Sequence, residues 1–208
     1  MDNDAERNAV AAGWKKHELA RPTLRTPVFL SYPKPYDSRQ EEFIRCLCSY
    51  LDDRGLTGRT LGVTDYSRKA PLRAIHKLML DCDGLIAVAF RRTFLKEADG
   101  YYRADVHTLK YYNLSNTWLT SPWAHIEPAM AYQIGLPILI LRESGVVADG
   151  VLEDGIVGLY MPQFDLDGDV DNYFLSDEWK QIIREWEGDV LAVASGRGLH
   201  AHRAIGRS

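Results

Sequence analysis

The sequence predicts an α/β protein built on a parallel sheet of about five strands with helices on both faces, and three features of the chain carry that expectation. Short, wholly apolar runs recur at Val28-Phe29-Leu30, Leu85 to Phe90 and Ile138-Leu139-Ile140-Leu141. Strands with no polar alternation need no solvent face, which is the signature of a sheet covered on both sides. Helical patterns lie between the runs, as crossovers joining parallel strands require. The third feature is the joint Ala129-Met130-Ala131-Tyr132-Gln133-Ile134-Gly135-Leu136-Pro137, which reads as a helix closed by glycine with proline leading into the next strand.

Taken in order, residues 1–26 form a polar helical leader whose Arg21-Pro22-Thr23 suggests a connector. The first strand, Val28 to Leu30, ends at Ser31-Tyr32 before a polar turn, and a helix follows from about Ser38 to Asp53. A turn at Gly55 to Gly58 precedes a second strand expected at Arg59 to Thr64. After the polar loop 65–70, Pro71 stands in the first turn of a helix with apolar positions Leu72, Ile75, Leu78 and Met79 at 3-4 spacing. The third strand is Leu85 to Phe90. An insertion-like region, 93–120, carries Tyr101, Tyr102, Tyr111, Tyr112 and Trp118, read as irregular chain packed onto the domain. The helix through Trp123 and the fourth strand come next, then a glycine-punctuated loop from Val146 to Gly158 and a short fifth strand at Val157-Gly158-Leu159-Tyr160. The last helix, about Leu175 to Val193, sets Trp179, Ile182, Ile183 and Trp186 on one core-facing stripe, and 196–208 reads as a flexible tail. With 208 residues, 46% of them hydrophobic, one core is expected, over 27–195.

Bulk properties exclude several function classes. A net charge of −4, from 25 basic and 29 acidic residues, gives no general reason to hold nucleic acid or an anionic membrane. Arg91-Arg92, and Arg197, Arg203 and Arg207 near the end, read as solvated surface. No run approaches the roughly 18 apolar residues that span a bilayer. The start Met1-Asp2-Asn3-Asp4-Ala5-Glu6 is acidic where a signal peptide is basic, so a soluble cytoplasmic protein is expected. Cys46, Cys48 and Cys82, an odd number without Cys-x-x-Cys spacing, suit buried thiols rather than disulfides or zinc. Asp165-x-Asp167-Gly168-Asp169-x-Asp171 misplaces the glycine of an EF-hand loop and has Ser176 in place of its closing glutamate, so it reads as an acidic turn. Neither a P-loop nor a Gly-x-Gly-x-x-Gly motif is present.

The candidate site lies in Ser121-Pro122-Trp123-Ala124-His125-Ile126-Glu127. On a helix, Trp123 and Glu127 at i and i+4 share a face, so an indole and a carboxylate frame one flat ligand. Ligands of open parallel sheets collect where strands end, which brings the loop Tyr32-Pro33-Lys34 toward the same place. His125 leaves the helix on another side and reads as structural. Pro128 biases Glu127 away from helical conformation, so the helix is expected either to break there or to restart with Glu127 as its N-cap.

Val28-Phe29-Leu30-Ser31-Tyr32, Asp81-Cys82-Asp83-Gly84-Leu85-Ile86-Ala87-Val88-Ala89 and Trp123-x-His125-x-Glu127 together resemble the strand, strand and catalytic helix of TIR (Toll/interleukin-1 receptor-like) domains, over roughly residues 26 to 186. The pattern is most similar to bacterial TIR domains of the NAD-cleaving, antiphage-defence type, in which Trp-x-x-x-Glu carries the essential glutamate. The resemblance implies a flavodoxin-like sheet order and an NAD+ glycohydrolase or cyclase that releases nicotinamide and makes ADP-ribose or a cyclic isomer. It implies Glu127 as the catalytic group and Tyr32, Pro33, Lys34, Ser121 and Trp123 as substrate-binding residues. NAD+ would be substrate, with no separate cofactor and no metal. TIR–TIR self-association, to which the 65–70 loop would contribute, and a downstream effector reading the nucleotide product are further implications. Glu127-x-Ala129-x-Ala131 followed by Gly135-x-Pro137 also resembles nucleoside 2-deoxyribosyltransferases, which place a glutamate at a ribosyl C1′ without needing a pyrophosphate. A non-catalytic assembly scaffold is the third reading.

Overall fold

Alternation along the strands explains why this chain needs helices on both sides of its sheet. In the computed structural model, which describes residues 25–102 and 110–205, successive residues of β1 (Thr26–Ser31) belong to different cores. Val28 and Leu30 join one cluster and Phe29 the other. β3 (Leu85–Ala89) divides likewise, with Ile86 and Val88 on the first side and Leu85, Ala87 and Ala89 on the second. Every residue of β3 is buried, as expected of a central strand.

The sheet has five parallel strands in the order β2-β1-β3-β8-β9, where β2 is Leu56–Arg59, β8 is Ile138–Glu143 and β9 is Gln163–Phe164. Numbering only the sheet strands gives 2-1-3-4-5, the flavodoxin-like α/β order. The first face is covered by α1 (Ser38–Asp53), α4 (Val170–Leu175) and α5 (Asp177–Ile205), through Phe43, Leu47, Leu51, Phe174, Trp179 and Ile183. The second is covered by α2 (Pro71–Leu80) and α3 (Trp123–Gln133), through Ile75, Leu78, Met79, Ala124 and Ala131. Helix ends follow local chemistry. Asp37 caps α1 by accepting from Gln40 N at 2.9 Å, Pro71 occupies the first turn of α2, and Gly135 at φ +73° closes α3 where an L side chain would be strained.

Several boundaries differ from the sequence-based expectation. β2 lies at Leu56–Arg59 rather than Arg59–Thr64, because Leu56 is the residue driven into the core while the backbone N–H groups of Val63, Thr64 and Asp65 all turn back onto the Thr60 carbonyl. The fifth strand is Gln163–Phe164 and not 157–160. Leu159 is 95% exposed, whereas Phe164 is 2% exposed and stacks on Phe43. The final helical stretch divides at Ser176, whose hydroxyl donates to Tyr173 O and accepts from Trp179 N, and α5 runs on through most of the segment read as a tail, to Ile205. In α2, Ala74 takes the buried position assigned to Leu72, which is exposed. Cys46 and Cys48 are half-buried and only Cys82 is buried. The proposed leader, 1–26, lies almost wholly outside the described residues.

The described residues of 93–120 are not irregular. They form nested antiparallel pairs, β4 (Thr93–Leu95) with β7 (Thr117–Leu119) and, farther out, β5 (Asp99–Tyr102) with β6 (Lys110–Asn113). Trp118 packs on Phe94 at 4.9 Å between ring centroids. Its backbone is sewn to the loop after β8, Trp118 N donating to Gly145 O and Val147 N to Trp118 O.

The approach of α5 to the sheet depends on Gly84. A Cβ there would meet Val190 Cγ2 at 2.5 Å and Trp186 Cζ2 at 3.1 Å. Gly84→Ala is therefore expected to destabilise the fold by about 1–3 kcal/mol. Chemical denaturation checks this, and an unchanged midpoint would show that α5 can shift without loss.

Candidate functional site

A cavity of about 370 Å³ opens at the carboxyl ends of β1 and β2, against the N-terminal turns of α2 and α3. This is where an open parallel sheet places its ligands. Ser31, Tyr32, Pro33 and Lys34 reach it as the chain leaves β1, and Thr60 and Leu61 as it leaves β2. Ser121, Trp123 and Glu127 enter from the start of α3. The structure thus brings together all six positions singled out from the sequence, Tyr32, Pro33, Lys34, Ser121, Trp123 and Glu127. Pro33 is buried, Tyr32 half-buried, and Lys34 exposed at the rim. Trp123 is 40% exposed, and Ser121 Oγ accepts from its backbone N at 3.3 Å.

Among the described residues Glu127 is the one carboxylate lining this cavity, and it is buried. Ser31 Oγ donates to its Oε2, and none of the described residues donates to Oε1. The sequence reading missed Ser31, although its place at the carboxyl end of an apolar strand was the available signal. Burial raises the Glu127 pKa above the ordinary carboxylate value, and the Ser31 hydrogen bond opposes that shift in part.

The expected break at Pro128 does not occur. α3 begins at Trp123, so Glu127 sits inside the helix, not at an N-cap, and Pro128 follows it within the same helix. Lacking an N–H, Pro128 leaves the Ala124 carbonyl without its usual helical donor. Burial of Ala124, Pro128 and Ala131 holds the helix together across that gap. Trp123 and Glu127 therefore keep their i, i+4 relation. His125 turns away toward Asp149, with Nε2 to Oδ1 at 3.7 Å, and is not part of the cavity wall.

Of the two adjacent arginines read as solvated surface, Arg92 is exposed as expected and Arg91 is half-buried. Arg91 donates through Nε to Ser144 O at 2.6 Å and pairs with buried Glu143 at 3.5 Å. Glu143 Oε2 also accepts from Arg91 N and from the Nε2 of fully buried Gln40, which ties α1, β3 and β8 together beside the site. Arg92 lines the cavity. Among the described residues no group of three or more His, Cys, Asp or Glu side chains is placed to hold a metal, and the Asp165–Asp171 turn is spent on local caps such as Asp169 Oδ1 to Asp171 N. No helix among them is long and apolar enough to cross a membrane.

The chain matches no protein-family model and no curated protein. Among solved structures it is similar to the CMP N-glycosidase BcmB of Clostridium botulinum, at 16% identity and a TM-score of 0.42, covering 72% of this chain and 98% of that one. It is also similar to the TIR domains of the activated Roq1 resistosome bound to the pathogen effector XopQ, at 14% identity and a TM-score of 0.36, covering 82% and 84%. At such identities and scores neither likeness extends to chemistry.

The raised Glu127 pKa has a thermodynamic consequence. The folded protein holds this proton at pH values where the unfolded chain has released it. The associated stability is fully present below the ordinary carboxylate pKa and is lost as pH rises through the folded value. Glu143, also raised mainly by burial, acts in the same direction. Glu127→Gln is expected to raise Tm at neutral pH and to show a shallower decline of Tm from acidic to neutral pH. Parallel curves for the two proteins would mean that Glu127 does not titrate differently on folding.

Proposed function

We propose that the protein is an N-glycosidase acting on a ribosyl C1′, with NAD+ as its substrate and Glu127 as the catalytic residue. The observation that supports this most directly is a single buried carboxylate, positioned by Ser31, beside an exposed indole in a cavity with a cationic rim. Cleaving the nicotinamide–ribose bond releases a neutral base and leaves positive charge growing on the sugar, resembling an oxocarbenium ion. A buried carboxylate held ready beside the sugar stabilises that charge far better than water would. The positive charge that grows in the transition state favours the ionised form of Glu127 against the burial that opposes it. Trp123 supplies a face on which an aromatic base can stack. Water capture of the sugar cation gives ADP-ribose, and capture by an adenine nitrogen of the same molecule gives a cyclic isomer. The TIR resemblance of the sequence motifs extends the proposal to a cytoplasmic, self-associating enzyme of bacterial antiphage defence whose nucleotide product is read by a downstream effector.

Cavity size favours a second reading. A volume of about 370 Å³ is near the lower end of the roughly 300–1,000 Å³ typical of ligand sites, which suits a mononucleotide or nucleoside better than a whole dinucleotide. A nucleoside 2-deoxyribosyltransferase-like glycosidase would use Glu127 at the same carbon. Incubation of the purified protein at low and high concentration with NAD+, and separately with deoxynucleosides and nucleoside monophosphates, separates the two. Nicotinamide release supports the first reading, and free base from the other substrates alone supports the second. No release from any of them argues for a scaffold.

A further inference from the structure

We propose that Arg92 is the phosphate-recognition residue of the cavity, so that the ligand presented to Glu127 is a phosphorylated ribosyl compound and not a free nucleoside. This deepens the reading of Glu127 above and rests on it for the ribosyl end of the ligand.

Arg92 lies between β3 and β4, and its backbone N donates to Leu119 O, which roots it at the base of the β4–β7 pair. Its Nη1 donates to the backbone carbonyl of Lys34 at 2.7 Å, and its guanidinium carbon lies 6.0 Å from the centroid of the Tyr36 ring. These contacts orient the guanidinium without neutralising it. The adjacent Arg91 pairs with Glu143, whereas no carboxylate among the described residues pairs with Arg92.

At the exposed rim of the cavity, an oriented guanidinium with no carboxylate partner among the described residues retains donors for a planar two-point contact with an anion. The exposed Lys34 stands beside it and adds a second cation. Glu127 gives the cavity one acidic position while Arg92 and Lys34 give it a basic one. A ribose whose C1′ meets a carboxylate ordinarily carries its negative charge as a phosphate on O5′. That phosphate is either a monoester, as in a nucleoside monophosphate, or one half of a pyrophosphate, as in a dinucleotide.

The test is calorimetric titration of the full chain with ribose 5-phosphate and with ADP-ribose, against ribose and adenosine, in the wild type, Arg92→Gln and Arg92→Lys. The phosphorylated probes are expected to bind more tightly than their unphosphorylated counterparts. Arg92→Gln should weaken the phosphorylated probes by about tenfold or more and leave adenosine and ribose unchanged, with Arg92→Lys between. Preference for ADP-ribose identifies a pyrophosphate and preference for ribose 5-phosphate a monoester; either supports the shared proposal. Equal affinity with and without phosphate, no binding of any probe, or an Arg92→Gln protein that binds as the wild type does would each overturn it. So would equal weakening of all probes with a lowered Tm, since Arg92 would then only pin the Lys34 loop. Because nothing here depends on turnover, a Glu127→Gln protein that still cleaves substrate would sink the catalytic reading while leaving the titration to judge Arg92.

Discussion

Glu127→Gln is expected to lower turnover by about 10²–10³-fold while leaving the fold intact, the range ordinarily lost with a single acid–base or electrostatic group. The amide is nearly the same shape, and its oxygen can still accept the Ser31 hydroxyl that now holds Oε2. What disappears is the negative charge. A group that stabilises charge only as the sugar cation develops affects kcat more than KM, so KM should change little. Paired with the expected rise in Tm at neutral pH, the result is diagnostic: activity falls while stability rises. A variant that lost activity and stability together would instead show Glu127 to be a structural carboxylate. Unchanged kcat would remove it from the chemistry.

The largest effect on stability is expected from Phe43→Ala, at about 3–5 kcal/mol. Phe43 is fully buried on α1 and stacks on Phe164 at 4.1 Å with planes 20° apart, while Phe174 lies 5.0 Å away and Phe90 meets it edge-on at 5.8 Å. Phe164 is half of the two-residue edge strand β9, so its side chain anchors a strand that has little backbone pairing of its own. Truncating Phe43 opens a cavity beneath that anchor, and a loss of this size is a large part of the roughly 5–15 kcal/mol that holds a typical domain together. Denaturant unfolding gives the total, and amide exchange at Gln163 and Phe164 should accelerate before that of β3. A cost near 1 kcal/mol would mean that the surrounding rings close over the gap.

The parts of this fold legible in the sequence are those where one physical signal acts alone. β3 is apolar throughout because both its faces are covered, and α1, the entry of α2 at Pro71 and the Gly135 closure of α3 follow from local capping and backbone chemistry. The edges were less legible. Val157 to Tyr160 is no less strand-like in composition than Gln163-Phe164, and only the position of Phe43 across the core chooses between them. At Pro128 a local rule was outweighed by tertiary burial on both sides of Glu127. The site divides the same way: Trp123 and Glu127 share a helix and their spacing is visible, while Ser31 and Arg92 reach the cavity from separate strand ends and belong to it only once the sheet has formed.

The nested ribbon between β3 and α3 bears on how the chain assembles. β3 and β8 form the central pair of the sheet, and the long connection between them would carry a correspondingly large loop-closure entropy if it were all loose chain. Pairing of β4 with β7 brings Arg92 close to Thr120 and takes the residues between them out of the effective loop. A chain that pairs the ribbon first would exchange one distant encounter for two shorter ones. The ribbon's outer tier, β5 with β6, is farthest from the roots that bring those ends together, so its pairing matters least to how the central pair finds its register.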